Sequence, residues 1–348
     1  MLSNKNKELY RNRFSCLLSF LYSHIQWHMY APIWAFFSIL FLSGCCPDVL
    51  PEADSLQNNH ASFISTNNNL PLGSTLDIFA FNDDRLRRLD SYQRVDDFKG
   101  KTAYAESTSG SKIFFFCLSS GRGKYEWADM NSYSSLSKIH IDLENETRES
   151  LTRTGECRIA DMESGKEVSL KPLVAQVGIN RISCDFSGTP YAGKNLTNVR
   201  AYLTNINGTC SIIGSGTLGV ERIINQGMLK ADELKAFREQ DLIFAEVSEN
   251  LGSAPLSPGI SFLCFPNPGN DPIGSPCTRL VIEGKIDGMT YWWPINVKGI
   301  ERNCSYTFDI VIRRKGTSDP DTPIDLEDCT FQYDIKPWEE KKEYGIRF

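Results

Sequence analysis

The sequence predicts an all-β protein built as two tandem β-sandwiches with a strand-forming tail at the C-terminus. Three observations carry this. Apolar residues recur with period two in many short segments, as in a strand with one buried face. Those segments are separated by Gly, Pro and Asn turn signals. Only Ala231 to Phe237 (ADELKAF) has helical spacing, and it is short. At ~150 residues per domain, 348 residues give a prior of about two domains.

Residues 1–44 read as a lipoprotein signal peptide. The apolar run from Ala31 to Phe41 is the core a leader needs to enter a membrane as a helix. It closes on Leu42-Ser43-Gly44-Cys45, the form of a bacterial lipobox, with Cys45 as the lipid acceptor. Each acyl methylene buried in a bilayer contributes about 0.8 kcal/mol, so two or three chains would hold the protein stably. The 17 residues between Arg13 and the apolar run are unusual for a leader. An uncut membrane helix over Phe14 to Gly44 is the other reading, but His24, Gln26 and His28 interrupt it.

The leader carries Lys5, Lys7, Arg11 and Arg13 against Glu8, a net +3, so the chain's formal −6 becomes −9 from Cys45 onward. An acidic mature chain argues against nucleic acid as a partner. Eleven cysteines are present, nine of them after Cys45. Their spacing is wide and contains no C-x-x-C, which is neither a disulfide framework nor a zinc pattern. Buried free thiols are expected, with Cys264–Cys277 the one pairing that a Pro/Gly loop would allow.

Residues 45–74 read as a polar tether in which Ala61 to Ser65 is the one strand candidate. The first sandwich is placed at 75–172. Thr75 to Phe81 opens it, and Lys112 to Leu118 (KIFFFCL) is a continuous apolar run, expected to be buried on both faces. Lys138 to Leu143 alternates Ile139, Ile141 and Leu143 against His140, and Val168 and Leu170 continue the pattern.

The second sandwich is placed at 173–318. Leu173, Ala175, Val177 and Ile179 alternate, then Val199, Ala201 and Leu203. Strands follow at Ile260–Phe265, Arg279–Ile286 and Thr290–Val297. In Ser305 to Arg313 the residues Tyr306, Phe308, Ile310 and Ile312 share one face. Residues 319–348 form a linker and a tail whose Phe331, Tyr333 and Ile335, then Tyr344, Ile346 and Phe348, keep period two. Such an apolar face either folds back on its own sheet or adds to an open sheet of another chain.

Chemistry-bearing motifs are sparse. Gly214 to Gly219 matches G-x-G-x-x-G, but a strand-like VERII follows where a dinucleotide site needs a helix, so a hairpin turn is expected. Asp319, Asp321, Asp325 and Asp328 lack EF-hand spacing and read as a solvated linker. After the leader only His60 and His140 remain, which leaves little for histidine catalysis. No enzyme activity, cofactor or metal is expected. Tyr291-Trp292-Trp293 reads as strand core with one exposed ring.

The order of blocks LDIFAFNDD, VSLKPLVAQVGINRI, DFSGTPYAGKNLTNVRAYLTNIN, TRLVIEGKIDGMTYWWPI and GIERNCSYTFDIVIRRKGTSDPDTPI, ending in an aromatic tail, resembles the fimbrillin superfamily of Bacteroides-type pili. Its members include FimA-like shaft subunits and FimB-like anchors. The resemblance runs from about Cys45 to Phe348. It implies transthyretin-like sandwiches, export as an outer-membrane lipoprotein, and polymerisation with other fimbrial subunits by donor-strand exchange in the service of adhesion. Phe331, Tyr333, Ile335, Tyr344, Ile346 and Phe348 fit the donor strands. Shaft subunits are cut after Arg or Lys ahead of the first domain's main strand. Here no Lys or Arg lies between Cys45 and Arg85. The resemblance therefore favours an uncut anchor over a shaft subunit. The competing class is a surface lipoprotein that binds glycans on Tyr291–Trp293 and does not polymerise.

Overall fold

The computed structural model of the chain describes residues 59–65, 73–99, 102–120, 125, 127–160, 167–214, 222–269, 276–322, 324 and 329–337. The fold is all-β. In the first half the strands are β1 (Asn59–Ser65), β2 (Ser74–Asn82), β3 (Leu89–Val95), β4 (Thr102–Ser107), β5 (Lys112–Ser120), β6 (His140–Asp142), β7 (Arg153–Ile159), β8 (Glu167–Val168) and β9 (Lys171–Pro172). A four-residue helix α1 (Tyr133–Leu136) precedes β6; Ser132 caps it by accepting a bond from the Ser135 amide.

Two sheets make the first sandwich: a five-stranded one in the order β3-β2-β5-β7-β9 and a three-stranded one in the order β4-β1-β8. Leu76, Ile78 and Ala80 of β2 and Phe114, Phe116 and Leu118 of β5 meet Ala103 and Ala105 of β4 between the layers. The alternate residues Phe79, Phe81, Ile113, Phe115 and Cys117 point the other way and join a second, larger core. The run Ile113 to Leu118 is thus buried on both faces, as its unbroken apolar character requires.

β1 falls inside the segment 45–74 that reads as a tether. It is the middle strand of its sheet, antiparallel to β4 from Asn59↔Ser107 to Ile64↔Thr102 and parallel to β8 at Ile64↔Glu167. Ala61 to Ser65 is the strand candidate that the sequence offers in this segment, and the structure places it, as Asn59–Ser65, within the first sandwich.

The second half holds β10 (Ala175–Cys184), β11 (Leu196–Thr204), β12 (Ile206–Asn207), β13 (Thr209–Ser211), β14 (Ile223–Ile224), helix α2 (Ala231–Ala236), β15 (Phe244–Leu251), β16 (Ile260–Cys264), β17 (Arg279–Ile286), β18 (Met289–Asn296), β19 (Cys304–Ile312) and β20 (Cys329–Pro337). Two four-stranded sheets result, β16-β10-β19-β20 and β15-β11-β17-β18. Val177, Ile179, Phe262, Tyr306, Phe308 and Ile310 of the first belong to one core with Ala201, Leu203, Leu280, Ile282, Trp293 and Ile295 of the second. Each large side chain so buried contributes roughly 1.5–3 kcal/mol.

The halves share that core and a two-stranded ribbon, β6 with β13, in register Cys210↔Ile141. Arg302 crosses the junction. Its guanidinium donates to the carbonyls of Thr154 (3.1 Å), Pro172 (3.2 Å) and Lys171. Burial pulls its pKa below the usual arginine range. Arg148 makes a second crossing, donating from Nη2 to the Asp241 carbonyl at 2.9 Å and to that of Ser261 at 2.6 Å.

All seven cysteines whose side chains are described are free thiols: Cys117, Cys157, Cys184, Cys210, Cys264, Cys277 and Cys304. Cys264 and Cys277 are therefore not bridged. Cys264 lies in the apolar interior, while Cys277 packs near Val297 with its thiol 3.2 Å from that carbonyl.

Candidate functional site

β20 lies at the edge of its sheet, antiparallel to β19 over nine residues from Cys304↔Pro337 to Ile312↔Cys329. The expected tail therefore folds back on its own sheet. Phe331, Tyr333 and Ile335 stand opposite Ile310, Phe308 and Tyr306. Opposed residues of a ladder share a face, so Tyr333 and Ile335 continue the core face of β19. Tyr306, Phe308 and Ile310 are buried, but Tyr333 and Ile335 keep 54% and 49% of their surface in solvent. Tyr333 and Phe308 stack with ring centroids 5.5 Å apart. The apolar row runs past the shelter of the opposite sheet, and the outer edge of β20 carries no further strand among the described residues.

The opposite face of this sheet is a polar trough of about 450 Å³ lined by Gln176, Asn180, Ser305, Thr307, Asp309 and Gln332, among others. Its side chains satisfy one another across strands. Gln176 donates to Ser261 Oγ at 2.8 Å, Ser305 to Gln176 at 3.1 Å, and Asn180 to Asp309 at 2.7 Å.

The linker between β19 and β20 does not run straight from one to the other. It crosses to the opposite sheet and meets the free edge of β18 at Trp292. The Thr317 amide donates to the Trp292 carbonyl at 2.9 Å, and the Trp292 amide to the Thr317 carbonyl at 3.1 Å. The edge of β18 is thereby pinned at one position, Trp292, whereas the outer edge of β20 has no strand beside it among the described residues.

At the other end, β1 bridges β4 and β8. Beside it lie the buried apolar residues Ala103, Ala105, Val168 and Leu170. Residues 102–107 alternate exposed and buried, so only their inner side chains meet the core.

Among the described residues the other sequence motifs form no site; Asp325 and Asp328 lie outside them. Trp293 is buried and its indole donates to the Arg314 carbonyl at 3.1 Å. Tyr291 is hydrogen-bonded to Tyr191, and Tyr291 and Trp292 are half-buried in β18. Asp319 accepts from the Asp321 amide at 2.7 Å, and Asp321 pairs with Arg279. Among the described residues no group of three His, Cys, Asp or Glu is placed to hold a metal. Gly214 turns with φ +74° and packs against Arg302; Gly219 lies outside the described residues. His140 is paired in β6.

Of the residues expected to carry function, Phe331, Tyr333 and Ile335 sit together in β20. Tyr344, Ile346 and Phe348 lie outside the described residues, as do Leu42, Ser43, Gly44 and Cys45. The position of β1 between β4 and β8, and the edge contact made by Thr317, escape sequence reasoning. The signal for the first is Phe63-Ile64 within a polar stretch; the second leaves none.

No family model matches the sequence, and no curated protein matches it. Solved structures do. A fimbrilin (FimA) from Porphyromonas gingivalis W83 superposes with a TM-score of 0.57 at 12% identity, covering 81% of this chain and 98% of that one. A candidate cell adhesion protein from Bacteroides eggerthii DSM 20697 gives 0.56 at 15% identity, covering 81% and 96%. Another, from Parabacteroides distasonis ATCC 8503, gives 0.55 at 13%, covering 81% and 100%. This chain has the all-β fold of the Bacteroides-type fimbrilins.

Proposed function

We propose that the chain is a non-enzymatic subunit of a surface fimbrium that joins its neighbours by exchange of β-strands. The observation that carries this reading is β20: a nine-residue edge strand whose apolar row, Tyr333 and Ile335, stays half in solvent. A strand of this kind gains a full set of side-chain contacts by moving into another subunit's sandwich. The first sandwich would offer a receiving slot only in a subunit that has lost β1. Loss of β1 would part β4 from β8 and open a slot over Ala103, Ala105 and Val168.

In this reading Cys45, at the end of Leu42-Ser43-Gly44, carries the lipid that ties the subunit to the outer membrane. The lack of Lys and Arg between Cys45 and Arg85 leaves β1 in place against a trypsin-like protease, which suits an anchor at the base of the filament. Other fimbrial subunits are the partners, and the assembled filament serves adhesion to host or bacterial surfaces.

Deleting residues 329–348 tests the reading. The expected result is a folded monomer that no longer enters filaments. A variant that still assembles overturns the strand-exchange reading. Loss of glycan binding in a protein that never polymerises would support the competing glycan-binding lipoprotein.

A further inference from the structure

We propose that Lys112 and Asn82 join through their side chains in an amide cross-link that the folded first sandwich makes by itself, with Asp90 carrying the protons. The three residues meet at one rim of that sandwich. Asn82 ends β2 and Lys112 begins β5, and the ladder sets them directly opposite one another. By strand alternation they share the face of Ala80 and Phe114, which lies between the two sheets. Asp90 comes from β3, and Thr108 directly follows β4.

Lysine is rarely buried, yet Lys112 is only 3% exposed. Its ammonium donates to Asn82 Oδ1 at 2.6 Å, to Thr108 Oγ1 at 3.0 Å and to the Ser109 carbonyl at 3.3 Å. It stands 3.4 Å from Asp90 Oδ1. Asp90 in turn accepts from the Thr108 hydroxyl at 2.5 Å and from the Thr108 amide at 2.8 Å. A structural ion pair needs a cation and a carboxylate. Here a primary amide also sits against the ammonium, closer than the carboxylate does. A nucleophile, an electrophile and a proton carrier are thus held in contact within one buried cluster.

Burial works to raise the Asp90 pKa, but its bonds from Thr108 and the Lys112 charge outweigh burial and hold the carboxyl below its usual value. The pair therefore starts as ammonium and carboxylate. One proton passes from Nζ to Asp90, directly or through the Thr108 hydroxyl. The free amine attacks Cγ of Asn82, and the new C–N bond forms. Asp90 gives its proton to Nδ2, the Cγ–Nδ2 bond breaks, and ammonia leaves. The second Nζ proton follows through Asp90 onto the ammonia, so ammonium departs and Asp90 ends ionised. Nothing is oxidised or reduced. The cross-link closes residues 82–112 into a covalent loop that contains β3 of one sheet and β4 of the other. Such a loop restrains the unfolded chain as a disulfide does, and reductants do not open it.

Peptide mapping by mass spectrometry, on the full chain purified folded and then denatured, tests the proposal. The expected result is one branched species that joins the peptide of Asn82 to that of Lys112, lighter than their sum by one ammonia, about 17 Da. Two separate peptides, with Lys112 open to acetylation, overturn the proposal. An ammonia loss confined to one peptide overturns it as well, since that is cyclisation at a single residue. Lys112→Arg keeps the charge and is expected to abolish the ammonia loss; a loss that persists in this variant overturns the assignment. Asp90→Asn keeps the size of the side chain. It is expected to lower the linked fraction about ten-fold or more in freshly purified protein whose circular dichroism is unchanged. An unchanged linked fraction overturns the role given to Asp90. If either variant fails to fold, the map of the unaltered chain still decides.

Discussion

Tyr333 stacks on Phe308 at 5.5 Å between ring centroids, yet Phe308 is 1% exposed and Tyr333 is 54% exposed. One ring belongs to the core and the other lies on its rim. Their substitutions should therefore have unequal effects. Phe308→Ala is expected to cost about 3–5 kcal/mol of monomer stability, and Tyr333→Ala about 1 kcal/mol or less. Urea melts of the two variants measure this. Equal losses would mean that β20 is as much part of the fold as β19.

Arg302 ties three carbonyls at the junction of the sandwiches. Arg302→Ala leaves them to find water, at a cost of about 2 kcal/mol or more. Arg302→Lys recovers only part, since an ammonium cannot reproduce the fork of donors. A loss below about 0.5 kcal/mol in chemical denaturation would show that the shared core alone joins the halves.

Asp77 is buried in β2, where it accepts from Tyr92 Oη and from Arg94 Nε, both at 2.7 Å. Burial and the Asp77 carboxylate together push the Tyr92 phenol well above its ordinary range. Arg94→Met leaves the buried Asp77 carboxylate with only the Tyr92 hydroxyl and is expected to destabilise by about 3 kcal/mol. Asp77→Ala should cost less, because the Arg94 side chain is 30% exposed and keeps its bond to the Tyr125 carbonyl. Thermal melts at low and high salt distinguish them; a surface pair would lose its effect in salt, and this one should not.

Burial pushes the Cys210 and Cys264 thiols up to about 12, and Tyr306 up to about 12 from a usual 10. The folded chain keeps these protons at pH values where the unfolded chain releases them. The stability they supply is complete below about pH 9 and is lost as pH rises toward 12. Each group contributes a slope of about 1.4 kcal/mol per pH unit across its own window. Urea midpoints at pH 8 and pH 10.5 test the sign. Cys264→Ala should flatten the alkaline fall while lowering stability at pH 8. A midpoint that rises with pH in this range would contradict the burial of these thiols.

Much of the fold is legible in the sequence because the central strands bury one or both faces. Ile113 to Leu118 and Tyr306 to Ile312 could be read directly, since period two or an unbroken apolar run admits few other outcomes. The strands that escape are those whose outward residues dominate. β15 spells FAEVSENL and β4 spells TAYAES, where the buried partners are small or sparse. β1 is different: its strand character is legible in Ala61 to Ser65, and only its place inside the first sandwich is hidden by polar neighbours. The tail's strand character was legible in Phe331, Tyr333 and Ile335. Its docking on β19 was not, because an edge strand obeys the same pattern in its own sheet and in another's. The Thr317 bridge could not have been read at all: backbone pairing leaves no mark on side-chain type.

The pairing of β10 with β19 is parallel, from Gln176↔Ser305 to Cys184↔Ile312, with one bulge at Asn180. Their beginnings therefore lie at one pole of the sandwich and their ends at the other. Tension applied between the start of β10 and the end of β19 pulls the two strands along their length in opposite senses. The ladder bonds then bear the load together instead of parting one after another like a zipper. A body wired in this way resists stretching along that axis far better than it resists peeling at β20.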